Sequence, residues 1–467
     1  MDSATSADAA LRPSLIPRSV GSSVWPAIMV TLLFAGYAGL YFCRSNLALA
    51  KEPIAKEFAS VGITTDSMTR VGSIGVMVYA VGKVINGAVG DFLGGRVIFL
   101  TSLTGSIICT LLFLMAPEMT EGWESQGLLP LFILFFSMNR FVQSAGWGGL
   151  VKISTQWFGY QSYGRVMSVL CMSYLFGDFL ARQVLSRTLG EGGGWRLMFG
   201  VAAGTLTVIT VLNFLLLKSK PTDVGLPLAD VCPKNLFGKK GDEDRPENLL
   251  DLLRPYLSSV AFWLILFLSA TLTCLRESMN FFNNDYLQVA SQISPQKAAE
   301  YSSFFPLFGA LAVFLSGFMT DRFAAGKRGW LMAVSLAMLV PVLATMAFVP
   351  SIQGTLWPVI LTCVVGFLAM APYAFLSGAI SMDLGGKRGS ATAAGTIDAV
   401  GYALGAVVGL ESQKYLVRSK DMAGWQPFFK VMMVLMVLSA FACLAYWFVH
   451  ERDRSTPSPG PDANRAS

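Results

Sequence analysis

The stretch KSKPTDVGLPLADVCPKNLFGKKGDEDRPENLLDLLRP, residues 218–255, is rich in proline, glycine and charge in a chain that is otherwise mostly apolar. Such a composition interrupts regular structure. Apolar runs lie on either side: six before it, at 25–49, 68–89, 95–116, 128–149, 164–186 and 196–217, and six after it, at 257–281, 301–320, 329–349, 357–380, 391–411 and 426–449. A helix of about 20 residues crosses the roughly 30 Å hydrocarbon core of a bilayer. The segment therefore divides twelve expected crossings into six and six. The expected fold is all-α and integral to the membrane, with twelve helices in two pseudo-symmetric halves.

Composition supports a lipid solvent. Of 467 residues, 54% are hydrophobic and 14% are charged, and the mean hydropathy is +0.55. Soluble domains carry about a quarter charged residues, so this chain lacks the polar surface that water requires. Residues 1–24 have no apolar core followed by a small-residue cleavage site, so they read as a cytoplasmic tail and not a signal peptide. The remaining expected units are an N-terminal half (25–217), a cytoplasmic central loop (218–256), a C-terminal half (257–450) and a cytoplasmic tail (451–467).

Lys and Arg concentrate on the side assigned to the cytoplasm: Arg12, Arg18, Arg96, the central loop, Arg322, Lys327, Arg328, Lys387, Arg388, Arg452 and Arg454. The outer segment PEMTEGWESQG, 117–127, has only acids, whereas the last outer loop, with Lys414, Arg418 and Lys420, runs against the rule. The net charge of +6 thus reports topology and gives no ground for a nucleic-acid partner. Seven scattered cysteines without a CxxC pair read as small apolar fillers. A single histidine, His450, leaves no inventory for a histidine metal site or a His-based triad. Neither a metal nor a cofactor is expected.

The halves echo one another. Arg44 lies deep in the first span and GAVGDFLGGR (87–96), with Asp91 and Arg96, follows the second; Arg276 lies deep in the seventh and GFMTDR (317–322), with Asp321 and Arg322, follows the eighth. Two six-span halves with matched charges suggest a transporter whose substrate lies between them. The two aspartate and arginine loops are the expected cytoplasmic gates.

Arginine is costly to desolvate. At about 1.5 Å rise per residue, Arg44 and Arg276 stand roughly 27 to 29 Å from the inner edge of their spans, so both can be read as snorkelling to the outer headgroups. Alternatively, LALAKEPIAKEF (47–58) prolongs the first helix and leaves Arg44 facing a cavity. Lys83 stands eight residues before Asp91, roughly 12 Å along the helix, farther than its side chain reaches to the loop. Cations converging between helices need an anion to offset their desolvation. The planar guanidinium favours phosphate or carboxylate, phosphate matching several donors at once. Asp178 and Arg182 are four apart and read as a neutralising pair. Glu277 and Asp398 stay open as proton carriers, charge balancers or packing partners. The glycines of AGWGG (145–149) and ALGAVVG (403–409) read as close-packing positions, not phosphate loops.

Several stretches together resemble the organophosphate:phosphate antiporters of the major facilitator superfamily, which include glycerol-3-phosphate, hexose-phosphate and glucose-6-phosphate transporters. GYAGLYFCRSNLALA (36–50) is similar to the family's first span, VYAVGKVINGAVGD (78–91) to its second, MNRFVQSAGWGGLVKISTQWF (138–158) to its fourth, and CLRESMNFFNNDYL (274–287) to its seventh. KPTDVGLP (220–227), RPYL (254–257) and ATAAGTIDAVGYALG (391–405) extend the likeness. The resemblance implies a substrate site made of Arg44, Arg276, Lys83, Tyr37, Tyr41 and Tyr79. It also points to Asn139, Gln143, Trp147, Lys152 and Tyr286 as signature positions. The chain departs from the pattern at Ser45, where the family has lysine, at Gly148-Gly149, where it has Pro-Pro, and at Tyr174, where some relatives carry histidine.

The resulting expectation is a carrier, not an enzyme. It exchanges inorganic phosphate for a small organophosphate, glycerol-3-phosphate or a sugar phosphate, and functions as a monomer in a bacterial inner membrane with both termini cytoplasmic. Two other readings are a sugar-phosphate sensor that transports little or nothing and a proton-coupled organic-anion symporter using Glu277, Asp178 or Asp398.

Overall fold

A computed structural model of the protein describes residues 24–120, 127–188, 194–323, 327–349, 354–416 and 422–452. Nearly all of the expected tails, including Arg12, Arg18 and Arg454, lies outside the described residues, as do most of the acidic segment 117–127 and the loop positions Arg418 and Lys420. The first half comprises α1 (Val24–Leu40), α2 (Phe42–Glu57), α3 (Thr65–Leu93), α4 (Gly95–Met119), α5 (Leu128–Gln143), α6 (Ala145–Trp157), α7 (Tyr163–Thr188) and α8 (Gly194–Leu216). After a short α9 (Leu249–Leu257), the second comprises α10 (Val260–Ser291), α11 (Pro295–Ser302), α12 (Phe304–Phe323), α13 (Arg328–Phe348), α14 (Trp357–Phe375), α15 (Ser381–Leu416) and α16 (Met422–Tyr446). No strand occurs among the described residues. Large apolar side chains such as Phe179, Val208, Phe214, Leu215 and Phe281 are more than half exposed, the surface lipid solvates and water does not.

Among the described residues, eleven continuous helical stretches are long and apolar enough to cross a membrane, against the expected twelve. One of them, Trp357–Gly405, has 49 residues, about 73 Å of helix at 1.5 Å per residue and more than two bilayer cores. The chain doubles back inside it. At Gly386 φ is +55° and ψ −158°, a conformation that favours glycine, and a Cβ on Gly385 would lie 2.5 Å from the amide nitrogen of Ser390. Tyr373 before the turn and Tyr402 after it line one cavity, which a straight helix would keep about 43 Å apart. Two crossings therefore meet at Gly386, restoring twelve.

The first crossing runs on past residue 49 to Glu57, as the LALAKEPIAKEF alternative requires. It tightens around Tyr41, where the Tyr41 N–H donates to the Ala38 carbonyl and the Arg44 N–H to the Tyr41 carbonyl, each three residues back at 3.1 Å. Such a local 3₁₀ step often marks a functional position. The AGWGG glycines serve packing: a Cβ on Gly149 would lie 2.9 Å from the Phe99 amide nitrogen, and one on Gly95 equally close to the Gly149 carbonyl. This close approach lets α6 lie wholly buried.

The pseudo-two-fold appears in two matching contacts. Asp91, at the end of α3, accepts the N–H groups of Ala391 (3.3 Å) and Thr392 (2.7 Å) in α15. Asp321, at the end of α12, accepts those of Gly164 (3.1 Å) and Arg165 (2.7 Å) at the start of α7. Each half thus offers a carboxylate to backbone donors of the other. The segment 218–255 is ordered against this same end of the bundle. Its Leu236 N–H bonds the Leu384 carbonyl at 2.8 Å, and Tyr256 donates to the Gly389 carbonyl at 2.6 Å. Burial pushes that phenol well above its ordinary pKa, so it stays a donor.

Candidate functional site: a cationic cavity between the halves

A narrow cavity, about 30 Å³ in volume, lies midway along the bundle, lined by Tyr37, Tyr41, Lys83, Trp147, Cys171 and Tyr174 from the first half and Arg276, Tyr373, Ala374, Ser377, Asp398 and Tyr402 from the second. Aromatic walls with a few charged groups are typical of small-molecule sites. Trp147 ties the halves at this level, its Nε1 donating to the Ser377 carbonyl at 3.0 Å.

Arg44 projects from α2 at the end of the tightened turn and is half-buried. Its Nη1 donates to the Tyr41 hydroxyl at 2.9 Å, and its guanidinium carbon lies 4.4 Å from the Tyr79 ring centroid. The helix is held there from behind. Leu47 N–H turns to the Asn46 side chain (2.7 Å), while Asn139 and Gln143 donate to the Cys43 carbonyl at 3.1 and 3.3 Å. Ser106 links Asn139 and Gln143 at 2.8 and 2.9 Å. The two amides of the fourth-span signature thus fix the backbone beside Arg44 and do not line the cavity.

Arg276 mirrors this arrangement on α10. Its Nη1 donates to the Tyr373 hydroxyl at 2.6 Å, and its guanidinium stacks on that ring at 4.6 Å. Glu277 lies 3.2 Å from the same nitrogen, and both side chains are mostly buried. Each half therefore holds one arginine steadied by one tyrosine, but only Arg276 lines the cavity itself; Arg44 stands behind the wall formed by Tyr41. Neither snorkels to a headgroup.

Lys83 lines the cavity as expected, but its charge is already matched. Its Nζ lies 2.5 Å from Asp398 Oδ2, with the side chains 2% and 10% exposed. Asp398 is thus a charge balancer joining α3 to α15. Tyr37 and Tyr41 line the cavity, while Tyr79 stands just behind it, its ring 5.8 Å from that of Tyr402. Tyr286 is elsewhere, packed on Trp425 and Phe429 in the second half's core.

Of the four gate residues expected, both aspartates join the halves. Arg96 stays within the first half, donating to the Leu217 (2.7 Å) and Phe214 (2.9 Å) carbonyls at the end of α8, where a cation complements the helix dipole. Arg322 is exposed, and it is Arg165 and Arg328 that approach Asp321, at 3.4 and 3.7 Å. Lys152, 1% exposed, stands 2.9 Å from Asp91 and donates to the Lys387 carbonyl of the other half. The segment GDEDR (241–245) seals the same end: Asp242 pairs with Lys387 at 3.3 Å, Glu243 with Arg388, and Asp244 with Lys220 at 2.6 Å.

Sequence reasoning missed Tyr373, Tyr402 and Arg140. A tyrosine in an apolar span was a usable signal for the first two. Arg140, inside FFSMNRFVQ, met the same desolvation argument that singled out Arg44 and was passed over.

A profile described as the Major Facilitator Superfamily matches residues 33–410. The chain belongs to this superfamily of membrane transporters; it is a multi-pass integral membrane protein and not an enzyme. Among curated relatives, it is 25% identical over 447 residues to a "Probable hexose phosphate transport protein" of Chlamydia trachomatis, covering 92% of each chain. It is likewise 25% identical over 379 residues to a "Glycerol-3-phosphate transporter" of Bacillus subtilis, covering 79% of this chain and 81% of that one. Among solved structures it is similar to a Major Facilitator Superfamily transporter, FucP, in the outward conformation, at a TM-score of 0.66 and 12% identity over 90% of this chain and 99% of that one.

Proposed function

We propose that the chain is a secondary active transporter that exchanges inorganic phosphate for a small organophosphate, glycerol-3-phosphate or a sugar phosphate, by alternating access. The observation that carries this reading is the pair Arg44 and Arg276, one from each half, each holding a tyrosine hydroxyl at the cavity wall. A phosphoryl group has acceptor oxygens enough for both guanidinium forks and the surrounding phenols. Relatives named for hexose phosphate and glycerol-3-phosphate support the substrate class.

Exchange follows from the cost of burying charge. An empty site that closed would occlude Arg44, for which no carboxylate partner is found among the described residues, without an anion, whereas either phosphate species neutralises it. Closure with cargo is thus favoured over closure without. In this reading the end sealed by Asp91, Lys152, Asp321 and the 241–245 segment is the cytoplasmic one of a bacterial inner membrane, with both termini on that side. Those contacts release when the site turns inward, and a monomer contains every part required.

The three carboxylates that a proton-coupled symporter could use are each engaged as charge balancers. Asp398 is paired with Lys83 and Glu277 with Arg276, and Asp178 holds Arg182 at 2.9 Å and the Ser45 hydroxyl at 2.6 Å. This favours exchange. The test is uptake of radiolabelled phosphate into liposomes containing the purified protein. Uptake that depends on internal phosphate and disappears in Arg44→Gln and Arg276→Gln is expected. Tight sugar-phosphate binding without flux would instead identify a sensor, and uptake driven by a pH gradient into phosphate-free vesicles a symporter.

A further inference from the structure

We propose that Arg140 is a further phosphoryl-binding arginine and that, with Arg44, it tunes the carrier to doubly charged phosphate groups. The proposal rests on the phosphate-exchange reading above and names a residue that neither the motifs nor the repeat assigned.

Arg140 sits on α5 and is 8% exposed. Its Nε and Nη1 are buried with no hydrogen-bond partner. Its guanidinium carbon lies 4.8 Å from the Tyr79 ring centroid, the same ring that Arg44 approaches to 4.4 Å. Two guanidinium groups therefore share one phenol, which reaches the cavity through Tyr402. Space for Arg140 is provided by Gly75, where a Cβ would lie 3.0 Å from the Arg140 Cγ and 2.7 Å from the Phe136 ring.

Stacking on Tyr79 satisfies the face of the cation but not its in-plane donors, which point along the guanidinium edge. An arginine kept only for packing has no reason to leave two donors buried and unmet. The charge pattern points the same way. Lys83 is matched by Asp398 and Arg276 by Glu277, whereas no ion pair to a carboxylate is found for Arg44 or Arg140 among the described residues. The uncompensated charge thus stands just behind the cavity wall, on these two arginines around Tyr79, one unit each. A phosphate monoester carries about −1.5 to −2 near neutral pH, which matches that pair. Ser45, beside Arg44, cannot add charge, and its hydroxyl is committed to Asp178.

The experiment measures phosphate self-exchange in proteoliposomes from about pH 6 to 8, across which inorganic phosphate gains its second negative charge, for wild type, Arg44→Gln, Arg140→Gln and Arg140→Lys. Wild-type KM should fall as pH rises. Arg140→Gln should raise KM by about 10- to 100-fold at the upper end, the range for losing a charged hydrogen bond, and flatten the pH trend, with a smaller effect on maximal rate. Arg140→Lys should keep the trend at an intermediate KM. A wild-type KM and pH trend in Arg140→Gln, or a loss of maximal rate alone, would overturn the proposal. If the glutamine variant does not fold, the lysine variant decides: a raised KM supports the assignment and an unchanged one overturns it. Exchange lost in Arg44→Gln but untouched in Arg140→Gln overturns this inference alone; no phosphate exchange by the folded wild type overturns the functional reading beneath it.

Discussion

Replacing Asp398 with asparagine leaves Lys83 charged, buried and without its counter-ion. The two side chains are 2% and 10% exposed and their charged atoms 2.5 Å apart. Deleting one member of such a pair costs about 3–5 kcal/mol, because the survivor stays desolvated, whereas removing both is often close to neutral. The survivor here is a cation near Arg44 and Arg276, so Asp398→Asn should be the more damaging single change and Lys83→Met the milder one. The assay is the apparent melting temperature of purified protein in one detergent, read as a double-mutant cycle. Both single variants should melt below wild type, and Lys83→Met/Asp398→Asn should recover most of the loss. Added inorganic phosphate should raise the melting point of Asp398→Asn more than that of wild type, since a bound anion supplies the missing charge. An Asp398→Asn protein as stable as wild type, or a double variant as poor as the two single losses together, would refute the reasoning.

Three further outcomes are expected. Tyr373→Phe removes the hydroxyl 2.6 Å from Arg276 Nη1 and should raise the KM for phosphate exchange about 10-fold; an unchanged KM would show the hydroxyl to be idle. Arg96→Ala exposes the Leu217 and Phe214 carbonyls at the end of α8, so melting should reveal a loss of about 1 kcal/mol while exchange KM stays constant. Asp91→Asn withdraws charge from Lys152 and from the Thr392 N–H and hydroxyl, so hydrogen exchange should quicken in peptides covering 150–157 and 387–392, with neutralisation of Asp242, Glu243 and Asp244 acting in the same direction.

The architecture was legible because lipid imposes a simple rule: each crossing must be a long apolar helix. The polar break at 218–255 and the echo of Asp91 in Asp321 then exposed the two halves. Boundaries were less legible. Helix α2 runs to Glu57 because LALAKEPIAKEF keeps its helical hydrogen bonding beyond the apolar run, and spans ten and eleven form one helical stretch because the breaks at Gly378 and Gly386 are too short to leave a loop between them.

At the site, residue type carried Arg44, Arg276 and Lys83, since a cation in an apolar span demands a reason. Pairing did not follow from type. Lys83 and Asp398 are 315 positions apart in the chain, and only the packing of α3 on α15 brings them together. Arg96 failed in the opposite sense: its motif repeats between halves, but the end of α8 captures its side chain before it can reach across. Arg140 was open to the argument applied to Arg44, and nothing in the motif marked it.

In the proposed mechanism one phosphoryl group is held jointly by an arginine from each half. The most direct measurement is an experimental structure of the protein with inorganic phosphate bound. Phosphate is expected in the cavity within hydrogen-bond distance of both Arg44 and Arg276, with the Tyr41 and Tyr373 hydroxyls alongside. Phosphate held by one arginine alone, or bound outside this cavity, would contradict that mechanism.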